Sequence, residues 1–204
     1  MESVSEKYKT LYEKIDKTSR SRFIAARRLQ LHETISLYTV VLMSCGVTAL
    51  TLLDALGMLR EEAGKLSAFL QVFCSMGVLV YSVIISKSNF ALRAFKHHEC
   101  GIALSRLRND VFKHIVETPE SDQFAKSAAQ YATILENNEN HLYVDFQMMK
   151  VQTKPYHSHY QVNPWLRIWV QIKHFATFWH YFLFSALVVC GLLLVYSTYG
   201  LPLS

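Results

Sequence analysis

Asp, Glu, Lys and Arg are missing from three long stretches of this 204-residue sequence, residues 34–53, 66–86 and 174–204. A helix rises about 1.5 Å per residue, so roughly 20 apolar residues cross a hydrocarbon layer about 30 Å thick. Buried helices of soluble proteins are usually shorter and amphipathic. The three stretches therefore predict an all-α integral membrane protein with a transmembrane hairpin and a third transmembrane helix. A re-entrant or surface helix is the alternative for the third stretch.

The features of enzyme and metal sites are also scarce. The seven glycines form no phosphate-binding cluster, and the four cysteines show no paired spacing typical of disulfide or zinc sites. The spans contain no carboxylate except Asp54 at the end of the first, whereas proton-coupled transporters usually keep an ionisable group at mid-membrane. We therefore predict that the protein is not an enzyme and uses neither a cofactor nor a metal.

The uneven distribution of positive charge predicts the topology. Residues 1–33 contain eight Lys or Arg, residues 54–65 contain two, and residues 87–173 contain eleven. Cytoplasmic flanks of membrane spans carry the Lys and Arg excess. The N-terminus and residues 87–173 are therefore expected in the cytoplasm. A third span would then place the C-terminus on the opposite side.

Basic and aromatic side chains flank the spans where lipid headgroups would lie. Anionic headgroups attract arginine, and tryptophan gathers at the membrane interface. We predict a loop and an interfacial aromatic helix over residues 155–173, before the third span at 174–204. The bilayer is thus the first expected partner. The side chains expected to set topology and contact headgroups are Arg20, Arg22, Arg27, Arg28, Trp165 and Trp169.

The cytoplasmic regions are predicted to be helical. Residues 1–33 form a basic N-terminal helix, and apolar residues recur at helical spacing through an arm over residues 87–154. This arm fits an oligomerisation coil as well as a helical hairpin packed on itself and on residues 5–30. Four basic residues of the arm are either a ligand-sensing patch or the solvated face of a helix beside anionic lipid: Arg93, Lys96, Arg106 and Arg108.

Two polar stripes run along the predicted hairpin. The stripe on the second span is confined to about 60° of the helix, at 100° per residue. Polar groups within a membrane need hydrogen-bond partners, so we expect both faces to point at other helices or at water. They are candidates for pore lining or oligomer contact, with ordinary packing of small polar side chains as the alternative. The stripes consist of Gln71, Ser75, Ser82 and Ser86 on the second span, and Ser44, Thr48 and Thr51 on the first.

The order of these segments resembles the SLATT family of bacterial two-transmembrane effector domains, which are encoded beside nucleotide-signalling and other anti-phage systems. The similarity covers roughly residues 5–150. It rests on the Arg-rich stretch "RFIAARRLQLHETIS", the two paired spans, and the helical arm that begins "SKSNFALRAFKHHECGIALSRLRNDV". The third span is an addition to the minimal two-span form.

The resemblance implies an antiviral effector in the bacterial inner membrane that stays inactive until infection triggers it. It would then assemble or open a homo-oligomeric pore, depolarise the membrane and stop growth of the infected cell, which is abortive infection. The implied trigger is a second messenger or nucleic-acid product of a neighbouring defence enzyme, for instance a reverse transcriptase. The alternative function is a non-enzymatic membrane scaffold that recruits a cytoplasmic partner through residues 87–154.

Overall fold

The computed structural model describes residues 4–59, 61–116, 121–153, 160 and 162–199. Within these residues the chain is helical and contains no strand, which confirms the predicted all-α class. The described helices are α1 (Val4–Ala55), α2 (Glu61–Ser88), α3 (Phe90–Val116), α4 (Ser121–Glu136), α5 (Tyr143–Gln152), α6 (Pro164–Ala176) and α7 (Trp179–Tyr199).

Two helical stretches of the described chain are long and apolar enough to cross a membrane, Val4–Ala55 and Gly64–Val116. The second comprises most of α2 and all of α3, joined at Asn89, whose φ is 46°. Asn is among the residues that tolerate this left-handed conformation best. The number of spans rises to three if Pro164–Ala176 and Trp179–Val195 count as one. Residues 200–204 at the end of the predicted third span lie outside the described residues.

The chain divides into two compact units, and α1 contributes to both. Unit 1 comprises Met1–Gln30 and Ala91–Ala176, and unit 2 comprises Leu31–Phe90 and Thr177–Ser204. Helix α1 is continuous for 52 residues, more than twice the roughly 20 that a span needs.

The core of unit 1 is built around the first half of α1. Apolar residues of α1 pack against one face of α3 and against Tyr131 of α4; the buried members from α1 are Tyr8, Leu11 and Ile15, and those from α3 are Cys100, Leu104, Leu107 and Val111. A second cluster joins Met148 and Val151 of α5 to Val170 of α6. Unit 1 is therefore a helical domain with its own hydrophobic core.

The core of unit 2 is formed by the second half of α1 together with α2 and α7. Its buried side chains are Met43, Cys74, Tyr81, Phe178, Tyr181 and Val188. Glycines permit close helix contacts, since a Cβ added to Gly46 would lie 3.0 Å from Val188, and one added to Gly191 would lie 3.0 Å from Leu70. Small residues at helix contacts are the usual device by which membrane helices pack closely.

Candidate functional site

The polar stripes of the hairpin lie mainly on the outside of unit 2. In a single chain the side chains of Ser44, Thr48 and Thr51 on α1 are exposed, as are those of Ser75, Ser82 and Ser86 on α2. Gln71 is half-buried. Large apolar side chains surround these polar groups on the same outer surface, among them Val72, Leu79 and Val83.

Several groups of these stripes already have hydrogen-bond partners inside the protomer. The hydroxyl of Thr51 lies 2.9 Å from the main-chain carbonyl of Val47 and 3.3 Å from Oε1 of Gln71, so its one proton is shared between these acceptors. Nε2 of Gln71 donates to the Ser67 hydroxyl at 3.1 Å. The hydroxyls of Thr48 and Ser82 donate to main-chain carbonyls four residues earlier, at 2.9 and 2.7 Å. Such internal bonds let a polar side chain face lipid at low cost. Hydrogen bonding alone therefore does not require these faces to meet water.

The four arginines before the first span have different surroundings within unit 1. Arg27 is exposed, and the partly exposed Arg20 donates through Nε to Asp16 at 2.8 Å. Arg28 is buried and donates through Nε and Nη2 to the two carboxylate oxygens of Asp145, at 2.8 and 3.0 Å. Arg22 is 0% exposed.

The burial of Arg22 and Arg28 differs from the predicted contact with lipid headgroups. Both residues lie on the face of α1 that packs inside unit 1, so in this conformation neither side chain lies on the surface that bulk lipid would meet. Arg20 and Arg27 keep surfaces that are open to such a contact.

Arg22 has only one hydrogen bond in the described part of the chain. Its Nη1 donates to Nδ1 of His97 at 3.3 Å, which requires a neutral His97 with its proton on Nε2. Neither Nε nor Nη2 of Arg22 reaches an acceptor among the described residues, and Nδ1 of His141 also has no partner there. These three atoms are buried, so unit 1 contains a charged group whose hydrogen-bonding capacity is mostly unused.

Burial and the charge of Arg22 both shift the neighbouring histidines toward the neutral form. Burial first, and then the positive charge of Arg22, lower the pKa of His97 to about 4, against the opposing charges of Glu139 and Asp145. The pKa of His141 is lowered by the same two causes. Arg22 therefore faces neutral rings at neutral pH.

The four residues of the predicted ligand-sensing patch do not share one set of partners. Arg93 pairs with Glu139 at 2.9 Å, and Arg108 pairs with Asp16 at 2.6 Å. Lys96 and Arg106 are exposed. Two of the four positive charges are thus already paired with acidic side chains of the same unit, although Asp16 is shared between Arg108 and Arg20.

Helix α6 exposes an aromatic and aliphatic face. Trp165 is 79% and Trp169 is 55% exposed, while Val170 is buried on the opposite side. Ile168, Ile172 and Phe175 continue the exposed face. This is the pattern of a helix that lies in a membrane interface.

An open groove of 510 Å³ lies between α1 and α4 in unit 1. Leu11, Phe124 and Tyr131 form its apolar floor, and Lys7 and Lys14 also line it. The described residues contain no group of three or more His, Cys, Asp or Glu that could hold a metal ion.

A family model described as "SMODS and SLOG-associating 2TM effector domain family 5", SLATT_5, matches residues 4–197. The match includes α6 and α7, so it extends beyond the roughly 150 residues over which the sequence patterns carried the resemblance. No curated protein and no solved structure matches the chain.

Proposed function

The chain belongs to family 5 of the SMODS and SLOG-associating 2TM effector domains, a family of membrane effectors, and we propose that it acts by forming a homo-oligomeric pore. In this proposal unit 2 is the pore-forming part and unit 1 receives the activating signal. The effector lies in the bacterial inner membrane with its N-terminus in the cytoplasm, and opening of the pore depolarises infected cells.

The observation that carries the proposal is the polar stripe on the outside of a well-packed helical unit. The interior of unit 2 is filled by large side chains such as Met43, Tyr81 and Tyr181. A path for water would therefore have to lie between protomers, where the hydroxyls of Ser75 and Ser82 are exposed; the Ser82 oxygen can still accept from water while its proton is donated to Val78. Gln71 is assigned to the contact between α1 and α2, because its amide is bonded within the hairpin.

Membrane potential in bacteria tests the proposal. Wild type would be expressed with its native gene neighbours, infected with phage and followed with a voltage-sensitive dye. We expect rapid depolarisation by wild type and a weaker response from the double variant Ser75→Leu/Ser82→Leu, because two polar groups are removed from the lining.

Val83→Leu is the matched control, since it adds a leucine to an exposed position of the same helix outside the stripe. All variants would be compared at equal membrane abundance. Full depolarisation by the double serine variant would exclude the stripe from the lining. An unchanged potential in infected wild-type cells would reject the pore.

The groove between α1 and α4 supports a second function, a membrane scaffold that recruits a cytoplasmic partner. Its apolar floor and two lysines suit a helix that carries both apolar and acidic side chains. Lys7→Glu/Lys14→Glu should abolish function by the scaffold mechanism, whereas the two serine substitutions should leave it intact. The pore mechanism predicts that the serine substitutions impair function.

A further inference from the structure

Arg22 occupies a position of α1 at which a hydrophobic residue would be expected. The buried positions of α1 in unit 1 recur at spacings of three and four residues, and Arg22 is one of them: Ile15, Ser19, Arg22, Ala26 and Leu29. A charge at such a position is costly unless it is paired and fully hydrogen-bonded. Arg22 meets neither condition among the described residues.

The unused atoms of Arg22 form the edge of the guanidinium group that binds oxyanions in pairs. Nε and Nη2 lie side by side, and both lack an acceptor in the described chain. Arg28 uses the same two atoms to bind both oxygens of Asp145. Planar, bidentate recognition of this kind is how arginine binds carboxylates and phosphates. Among its described residues, unit 1 thus contains one guanidinium edge bound to a carboxylate and one without a protein acceptor.

Among the described residues, the two anions whose charges act on His97, the neighbour of Arg22, are already paired with other arginines. His97 accepts from Nη1, so it orients the guanidinium group without neutralising it. Asp145 is bound by Arg28, and Glu139 is bound by Arg93. Nδ1 of His141 is a further buried polar atom without a partner in the described residues.

We propose that Arg22, held by His97 and accompanied by His141, is the binding site of unit 1 for a phosphate-bearing ligand. The free guanidinium edge binds two phosphate oxygens. His141 lies in residues 137–142, the non-helical connection between α4 and α5. The ligand is either a soluble phosphate ester or a lipid headgroup, which share this chemistry.

In its link to activation this inference rests on the proposed function, because the ligand would be the trigger of the pore. Binding itself can be measured without any pore activity. If binding is found in a protein that does not depolarise cells, the site survives and the pore fails. If cells depolarise but binding does not depend on Arg22, the pore survives and the site fails.

The test uses the full chain in lipid-free detergent and chloride buffer at constant ionic strength. Thermal unfolding would be recorded while inorganic phosphate, and separately adenosine 5′-monophosphate, is titrated. A second arm titrates phosphatidylglycerol into the same detergent solution, without soluble phosphate. We expect a saturable rise of Tm in at least one arm, because a ligand that binds the folded state stabilises it.

Arg22→Met should abolish that rise while raising the Tm measured without ligand, since it removes a buried charge and keeps the volume of the side chain. Arg22→Lys keeps the charge but lacks the bidentate edge, so it should weaken binding at least tenfold. This variant still tests the site if Arg22→Met does not fold. Lys126→Met is the matched control, because it removes one positive charge from an exposed position of α4 in the same unit and should retain the response.

A response that persists in both Arg22 variants would overturn the proposal. So would the absence of any response of wild type in both arms, which would mean that the free edge of Arg22 binds only buried water.

Discussion

At the scale of single residues, Asp145 performs two structural roles with one carboxylate. It accepts both hydrogen bonds from the Arg28 guanidinium group, and it accepts the main-chain N–H of Leu142 at 3.0 Å. The second bond caps the start of α5, where a carboxylate also interacts favourably with the helix dipole. Asp145 is 0% exposed, so all of these bonds are made away from water.

We predict that Asp145→Ala lowers the free energy of unfolding of unit 1 by about 3–5 kcal/mol, because it leaves the Arg28 charge buried without a partner. Denaturant unfolding of the full chain in detergent would measure the loss. Glu139→Ala is the control, since it breaks the more exposed pair with Arg93 and should cost about 0–1 kcal/mol. Equal losses in the two variants would contradict the description of Asp145 as the buried partner.

The lowered pKa of His97 predicts a dependence of stability on pH. Burial and Arg22, with a smaller effect from Arg93, lower this pKa to about 4, against the opposing effects of Glu139 and Asp145. The unfolded chain titrates near 6.5, so between these two values it binds a proton that the folded chain does not. Above about pH 6.5 His97 is neutral in both states and does not lower the free energy of unfolding. As the pH falls from about 6.5 toward 4, that free energy decreases by about 3 kcal/mol in total.

Unfolding at pH 7.5 and pH 5 would test this dependence in wild type and in His97→Gln, whose amide oxygen can still accept from Arg22. We expect wild type to lose more stability than the variant, since other histidines titrate equally in both. Identical losses would show that His97 does not carry the effect.

The sequence identifies the arginine cluster but not the surroundings of each member. Clustered arginines before an apolar segment predict headgroup contact by proximity alone, which suits the exposed Arg27. The spacing of Tyr8, Leu11 and Ile15, if continued by steps of three and four, passes through Ser19 and Arg22, and this signal could have placed Arg22 in the core. Nothing in the local sequence links Arg28 to Asp145, because the two are 117 residues apart and only tertiary packing joins them.

At the scale of elements, α6 exposes large apolar side chains on one face and buries Val170 on the other. Its exposed Trp165 and Trp169 fit the interfacial helix expected over residues 155–173, and most of the loop before it, residues 154–159 and 161, lies outside the described residues. Trp side chains prefer the interface because the ring is apolar and its N–H stays hydrated.

We predict that Trp165 and Trp169 lie at headgroup depth in a bilayer. Trp179→Phe leaves these two as the only tryptophans of the chain. In vesicles, lipids brominated close to the headgroup should quench the emission of this variant more strongly than lipids brominated near the chain end. Trp165→Phe/Trp169→Phe, which retains Trp179 alone, provides the comparison. Stronger quenching by the deep bromines, or none by either lipid, would contradict an interfacial α6.

Helix type was predictable from periodicity, whereas helix continuity was not. The composition of α1 changes sharply at Thr34, where the first span is predicted to begin. No Pro or Gly lies at that point, so nothing in the backbone ends the helix, and α1 continues to Ala55. The break between α2 and α3 depends on one residue, Asn89, in a left-handed conformation that the hydrophobic pattern does not signal.

At the scale of the whole molecule, the chain belongs to a membrane-effector family and divides into two units. The oligomeric state is then the property that decides whether it can form a pore. The interior of unit 2 is packed, so a pore requires several protomers. The exposed hydroxyls then belong at contacts between protomers or on the pore wall, and both positions bring equivalent residues of neighbouring chains near one another.

Cysteine crosslinking in membranes tests this arrangement. The exposed Cys45 and Cys190 would first be replaced by serine, while the buried Cys74 and Cys100 are retained. In that background we predict that Ser82→Cys forms disulfide-linked dimers on mild oxidation, because the stripe of one protomer approaches that of the next. Val83→Cys places the thiol on the next residue of the same helix, also exposed but outside the stripe, and should crosslink much less.

Crosslinking should increase after the native trigger if assembly follows activation, and be constant if the oligomer is preformed. Equal crosslinking of the two variants would indicate random collision, and the stripe would then have no role in assembly.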